Sequence, residues 1–223
     1  MQLLNSLKRN KKITNAYKTA TQYNQIPSHK LNIIQMNEIR KFIENITPMN
    51  DSDWKFFSSK LQEVKYQKHA ILLKSGEVED HLYFIKKGMV RLYIPREESD
   101  LTFGFLFENE FVTAYDSFLT QMPSEYQIET LLETTVLKIS HKNLQEVYER
   151  TNSGNIIGRK MAENMFLIKS KRELSLLSKT AEERYLDLFS ERPKLLQQIP
   201  LKYIASYIGV TPQALSRIRK RIT

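Results

Sequence analysis

The spacing of apolar residues changes from helical to strand-like near Val64 and back near His141, and those changes limit what the chain can fold into. From Val64 to Ile139, β-branched and aromatic residues come in short runs separated by turns. From Ser153 onward they recur every three or four residues. The clearest β stretch is His81-Leu-Tyr-Phe-Ile-Lys-Lys-Gly-Met-Val-Arg-Leu-Tyr-Ile94, two runs flanking Lys87-Gly88 and closed by Pro95 and an acidic loop. Val64 and Tyr66, Ile71–Leu73, Leu101–Phe107, Glu110–Ala114 and Gln127–Ile139 continue the series. Short strands spaced by turns predict a sandwich or jelly roll. Ahead of them, Ile39, Phe42, Ile43 and Ile46 share one helical face. Asn50 then caps a second helix that carries Trp54, Phe57 and Leu61.

The helical half divides into three pieces. Ser153 to Leu177 lacks proline and predicts one helix of about 25 residues, ~37 Å long, more than a small domain needs. Ile157, Met161, Met165 and Ile168 on one side suit a dimer seam; the alternative is packing on the chain's own sheet. Thr180-Ala-Glu-Glu183 reads as a capping box that starts a helix running through Phe189, and Arg192-Pro193 ends it. Last comes a helical hairpin. Leu201, Ile204, Ala205 and Ile208 form one buried stripe, and Gly209 suits a left-handed helix end. Thr211 can cap the next helix with Pro212 at its first position, and Leu215, Ile218 and Ile222 form a second stripe. Small Ala205 permits a close helix crossing, as in a helix-turn-helix.

The outer face of that last helix carries Gln213, Ser216, Arg217 and Lys220, all able to hydrogen-bond bases or phosphates. Charge agrees with this. The net charge of +9 is distributed as +6 over residues 1–30, −5 over 31–150 and +8 over 151–223. A basic C-terminal part beside an acidic middle suggests polyanion binding in one and a separate duty in the other. With no cysteine, disulfides, thiolate catalysis and cysteine-held iron–sulfur clusters are excluded. The four histidines are scattered, without metal-ligand spacing. We find no nucleophile–base pairing and no glycine-rich phosphate loop, so an enzyme is not expected. Nor is a membrane role, because no run of ~18 apolar residues occurs. The N-terminus lacks the apolar core of a signal peptide, which predicts a cytoplasmic protein.

From about Met36 to Thr223 the chain resembles the Crp/Fnr family of bacterial transcription regulators. The resemblance is carried by Leu82-Tyr-Phe-Ile-Lys-Lys-Gly-Met-Val-Arg-Leu-Tyr-Ile94, Ala181-Glu-Glu-Arg-Tyr185 and Ile204-Ala-Ser-Tyr-Ile-Gly-Val-Thr-Pro-Gln-Ala-Leu-Ser-Arg217, the last being the most specific. It implies an α+β architecture: a basic extension (1–35), a cyclic-nucleotide-binding-like jelly roll as effector domain (36–150), a dimerisation helix (151–179) and a winged-helix-type helix-turn-helix domain (180–223). Members that bind cyclic AMP carry a Gly-Glu at a short phosphate-binding helix and an Arg before the next strand. Those positions fall here on Thr113-Ala114 and Ser124, and no arginine lies between Arg96 and Arg150. Cyclic AMP binding is therefore not expected. Tyr115, Phe118 and Tyr126 fall near the same pocket, where they either fill it or line a smaller apolar site for an unidentified effector.

The expected function is a homodimeric regulator on palindromic double-stranded DNA, with RNA polymerase as a further partner and no cofactor. Gln213, Ser216 and Arg217 are the expected base contacts. Thr211, Lys202, Arg219, Lys220 and Arg221 are the expected backbone contacts. Relatives usually carry Glu where Gln213 stands, which implies a shifted half-site. The alternative function is a signalling module whose main task is to hold a small molecule in the roll.

Overall fold

Among the described residues eight strands pair into two four-stranded sheets, and the pairing accounts for the β-type periodicity. They are β1 (Gln62–Tyr66), β2 (Ile71–Leu73), β3 (His81–Lys87), β4 (Met89–Ile94), β5 (Leu101–Phe107), β6 (Phe111–Val112), β7 (Gln127–Thr130) and β8 (Thr134–Ser140). Every pairing is antiparallel, in the orders β1-β8-β3-β6 and β2-β7-β4-β5. This computed structural model describes Met36 and residues 38–222. The basic extension expected over residues 1–35 lies outside them.

Tyr83 and Ile85 of β3, Val90 and Leu92 of β4, Ile128 of β7 and Val136 of β8 meet between the sheets. The alternation in β3 and β4 is nonetheless blurred, because their outer faces are covered too. Helix α1 (residues 38–44) supplies Phe42, whose ring lies 5.3 Å from Phe111, which in turn lies 5.0 Å from Phe84. The turn between β3 and β4 needs glycine: Gly88 has φ +104°, and a Cβ there would meet Thr134 Oγ1 at 2.5 Å.

Two sequence expectations in the roll are corrected. Gln127–Ile139 is two strands, because residues 131–133 carry the chain from one sheet to the other, with the Leu131 N–H donating to Met89 O (3.0 Å). The expected strand Glu110–Ala114 shortens to β6, because Thr113 and Ala114 turn into helix α3 (Tyr115–Thr120). Helix α2 (Asp51–Ser59) begins as expected, with the Asn50 side chain accepting from Asp53 N–H.

After β8 every described element is a helix: α4 (His141–Arg150), α5 (Gly154–Ser178), α6 (Ala181–Glu191), α7 (Pro193–Gln198), α8 (Leu201–Tyr207) and α9 (Pro212–Ile222). The long helix has the expected length of 25 residues, and the capping box at Thr180 and Glu183 is formed. Arg192-Pro193 ends α6 as expected, with Arg192 as its C-cap, and Pro193 opens α7 at a position where its missing N–H is not needed. The wing implied by the resemblance is not among the described elements. The C-terminal core joins Tyr185, Leu188, Leu195, Ile199, Ile204, Ala205, Ile208, Leu215 and Ile218 to Met89, Phe105, Phe107 and Leu131 of the roll. The architecture is therefore α+β, a jelly roll followed by a long helix and a helical C-terminal part.

Candidate nucleic-acid interface and the pocket of the roll

Helices α8 and α9 form the hairpin that the sequence predicts. Gly209 adopts φ +77°, and the Val210 N–H donates to Ala205 O at 2.9 Å, which closes the end of α8. The Thr211 hydroxyl accepts from Ala214 N–H at 3.2 Å and caps α9. Ile204, Ala205, Ile208, Leu215 and Ile218 are buried. Leu201 is the exception in the stripe at 44% exposed, because it sits at the open start of α8.

That packing leaves Gln213, Ser216, Arg217 and Lys220 exposed on one face of α9, with Thr211 and Lys202 exposed nearby. Arg219 and Arg221 are exposed as well. Arg221 differs from the others in pairing with Glu182 of α6 at 2.7 Å, a surface ion pair. The hairpin itself carries no acid, and only the fold brings one to it.

The residues expected to form an effector pocket come together but are occupied with one another. Thr113 is buried and its hydroxyl donates to His81 O at 2.9 Å. Ala114 is fully buried at the start of α3. Ser124 is buried, donating to Tyr126 O (3.0 Å) and accepting from Tyr126 N–H (3.2 Å). The Tyr126 hydroxyl donates to Asp116 at 2.5 Å, and its ring meets Phe103 edge-on at 4.9 Å. Tyr126 thus fills the interior of the roll. Tyr115 and Phe118 instead line a cavity of about 40 Å³ against Met161, Ala162 and Met165 of α5, room for a few waters.

Glu79 is the buried residue of this region that sequence reasoning missed. Its carboxyl group is 1% exposed and accepts from His81 N–H at 2.9 Å, and from Ala114 N–H and the Tyr83 hydroxyl at 3.5 Å each. It therefore lies where the resemblance puts a cyclic phosphate, beside the backbone that opens α3. Burial without a cationic partner pushes it up to about 7, and the same burial pushes the Tyr83 hydroxyl up. In sequence Glu79 is one of several acids in the turn before β3, and no local spacing marks it.

On α5, Ile157 is buried and Met161 and Met165 are half-buried against the chain's own roll, while Ile168 is exposed. Packing on the chain's own roll and a seam along the rest of the helix are both compatible with these positions. Phe166, Leu167, Leu174 and Leu177 stand exposed along the same helix. No group of three or more potential metal ligands occurs among the described residues, and none of the described helices is long and apolar enough to cross a membrane.

Comparison with known proteins agrees with this architecture. Residues 63–151 match the cyclic nucleotide-binding domain family. A protein from Eubacterium rectale described as a transcriptional regulator of the crp/fnr family superposes with a TM-score of 0.63 at 17% identity, covering 80% of this chain and 87% of that one. FixK2 from Bradyrhizobium japonicum gives 0.62 at 18% identity, covering 73% and 84%. The c-di-GMP responsive global regulator CLP from Xanthomonas campestris gives 0.60 at 17% identity, covering 78% and 91%. No curated protein sequence matches the chain. The chain thus carries a cyclic nucleotide-binding-type domain and has the fold of the Crp/Fnr regulators.

Proposed function

We propose that this chain is a transcription regulator that binds palindromic double-stranded DNA as a homodimer in the cytoplasm. The observation that carries the reading is the outer face of α9. Gln213, Ser216, Arg217 and Lys220 are exposed together over a buried Leu215 and Ile218, on a helix aimed by the Gly209 turn. Arg217 suits bidentate bonding to guanine and Gln213 to adenine, one helical turn apart. Lys202, Thr211, Lys220 and, less strongly, the paired Arg221 supply phosphate contacts. The exposed apolar residues of α5 give the second copy its seat, since a single chain leaves Phe166, Leu167, Ile168, Leu174 and Leu177 in water. RNA polymerase is the natural recipient of the output.

The roll of this regulator does not take cyclic AMP. A cyclic phosphate beside Ala114 would meet the carboxyl of Glu79 rather than a guanidinium, so its buried charge would find no cation to pair with. The signalling-module reading is supported by the cavity against α5, which is too small for a nucleotide. Selection from random duplexes with the full-length protein tests the function. The expected product is an inverted repeat with half-site centres ~34 Å apart, in which Gln213→Glu changes the preferred base at one position per half-site. Recovery of no common sequence contradicts it.

A further inference from the structure

Beside the apolar core it shares with the roll, the C-terminal hairpin meets a buried arginine of the roll in a polar contact. Arg91, in the middle of β4, is 3% exposed. Its guanidinium bonds Glu129 of β7 at 2.6 Å and Asp100, just before β5, at 2.9 Å. It is also sandwiched between two rings, 3.8 Å from the centroid of Tyr93 on β4 and 4.2 Å from that of Tyr203 on α8. Beside it, the Ser206 hydroxyl of α8 donates to Asp100 O at 2.9 Å and accepts from Thr102 N–H at 2.8 Å. That serine satisfies a backbone donor on β5, an edge strand of its sheet.

We propose that Arg91 is a positioning residue for the DNA reader: clamped by Glu129 and Asp100 on the roll and stacked on Tyr203, it fixes α8 and thereby the direction of α9. The inference rests on the DNA-binding reading above. Three observations carry it. Helices α8 and α9 share one core through Ile204, Ala205, Ile208, Leu215 and Ile218, so a fixed α8 fixes α9. The docked arrangement leaves Gln213, Ser216 and Arg217 exposed, so the clamp orients the reading face without masking it. Finally, the clamp is continuous with the pocket of the roll. Tyr126 leads directly into β7, where Gln127 accepts from the Tyr93 hydroxyl at 2.8 Å and Glu129 holds both Arg91 and His69. A change in the pocket that shifts β7 therefore has a direct polar route to Tyr203 through Glu129 and Arg91. Arginine suits the role because a planar guanidinium can stack between two rings while bonding carboxylates in its own plane.

The test uses the full-length protein and two readouts. Tyr203→Leu and Ser206→Ala remove the reader's half of the clamp without touching the interior of the roll, and Arg91→Met removes the other half. Amide hydrogen exchange should speed up at Thr102 and through α8 in each variant, with the remaining amides of the roll unchanged in the first two. Affinity for the duplex returned by selection should fall about tenfold in Tyr203→Leu, because a released reader spends only a fraction of its time in the competent direction. Combining Arg91→Met with Tyr203→Leu should cost no more than either alone. Unchanged or tighter DNA binding in Tyr203→Leu, or additive losses, would overturn the proposal. Should the wild-type protein bind no duplex, the DNA-binding reading fails by itself, and exchange at Thr102 in Tyr203→Leu still decides whether the clamp exists.

Discussion

The reading face of α9 and the pocket of the roll are built from similar residue types, yet they treat their polar groups in opposite ways. In α9, Gln213, Ser216, Arg217 and Lys220 project into water, and no described residue accepts or donates to them. In the pocket Thr113, Ser124, Tyr126 and Glu79 are buried, and each is bonded within the chain. Among the described residues no buried side-chain nitrogen or oxygen lacks a partner. A surface that recognises something else must keep hydrogen-bonding capacity in reserve, because the net gain on binding is what its own chain has not already used. The reader keeps that reserve, and the pocket has none.

Removing the support beneath the reader should have the largest effect. Leu215 is 1% exposed, and Leu215→Ala should destabilise the C-terminal core by ~2–5 kcal/mol. Thermal unfolding checks this, and a loss below 1 kcal/mol would mean that α9 is not seated as described.

The pocket makes a prediction of its own through pH. The Glu79 carboxyl is raised from 4.5 to about 7 by burial, so the folded chain binds a proton there that the unfolded chain releases. Its contribution is whole below about pH 4.5 and is lost as pH rises to about 7. The loss is on the order of 3 kcal/mol. Denaturant unfolding at pH 5 and pH 8 should show this slope in the wild-type chain and not in Glu79→Gln. Equal slopes would show that the carboxyl does not sit in the dry cradle beside Ala114.

Smaller effects belong to single contacts on the reader. Arg217→Ala should cost ~1–3 kcal/mol at one base position and relax the preference there. Lys220→Ala should weaken all duplexes about equally and lower the slope of log affinity against log salt by about one. Phe166→Asp tests the seam: the wild-type chain should be dimeric by native mass spectrometry and the variant monomeric.

What the sequence discloses depends on how local the cause is. The hairpin is legible because Gly209, Thr211 and Pro212 each meet a local backbone demand, within a few residues of the stripes they separate. The capping box at Thr180 and the length of α5 are legible for the same reason. Which faces of α5 meet the roll is not, since Ile157 and Phe166 are both apolar and only the fold buries one of them. Glu79 escapes notice because its burial is made by the starts of β3 and α3, which are distant in the chain. Arg91 likewise looks like an ordinary outward-facing strand residue until Tyr203 of α8 covers it. In each case the missing information is a long-range contact, to which periodicity is blind.

The contrast between an open reader and a closed pocket is tested most directly by measuring affinity for the selected duplex with and without millimolar cyclic AMP, in the wild-type chain and in Arg217→Ala. The account predicts that cyclic AMP changes neither protein's affinity, while Arg217→Ala loses discrimination at one base position whether or not the nucleotide is present. Tighter wild-type binding on adding cyclic AMP, or an Arg217→Ala variant that reads its site as well as the wild type, would contradict it.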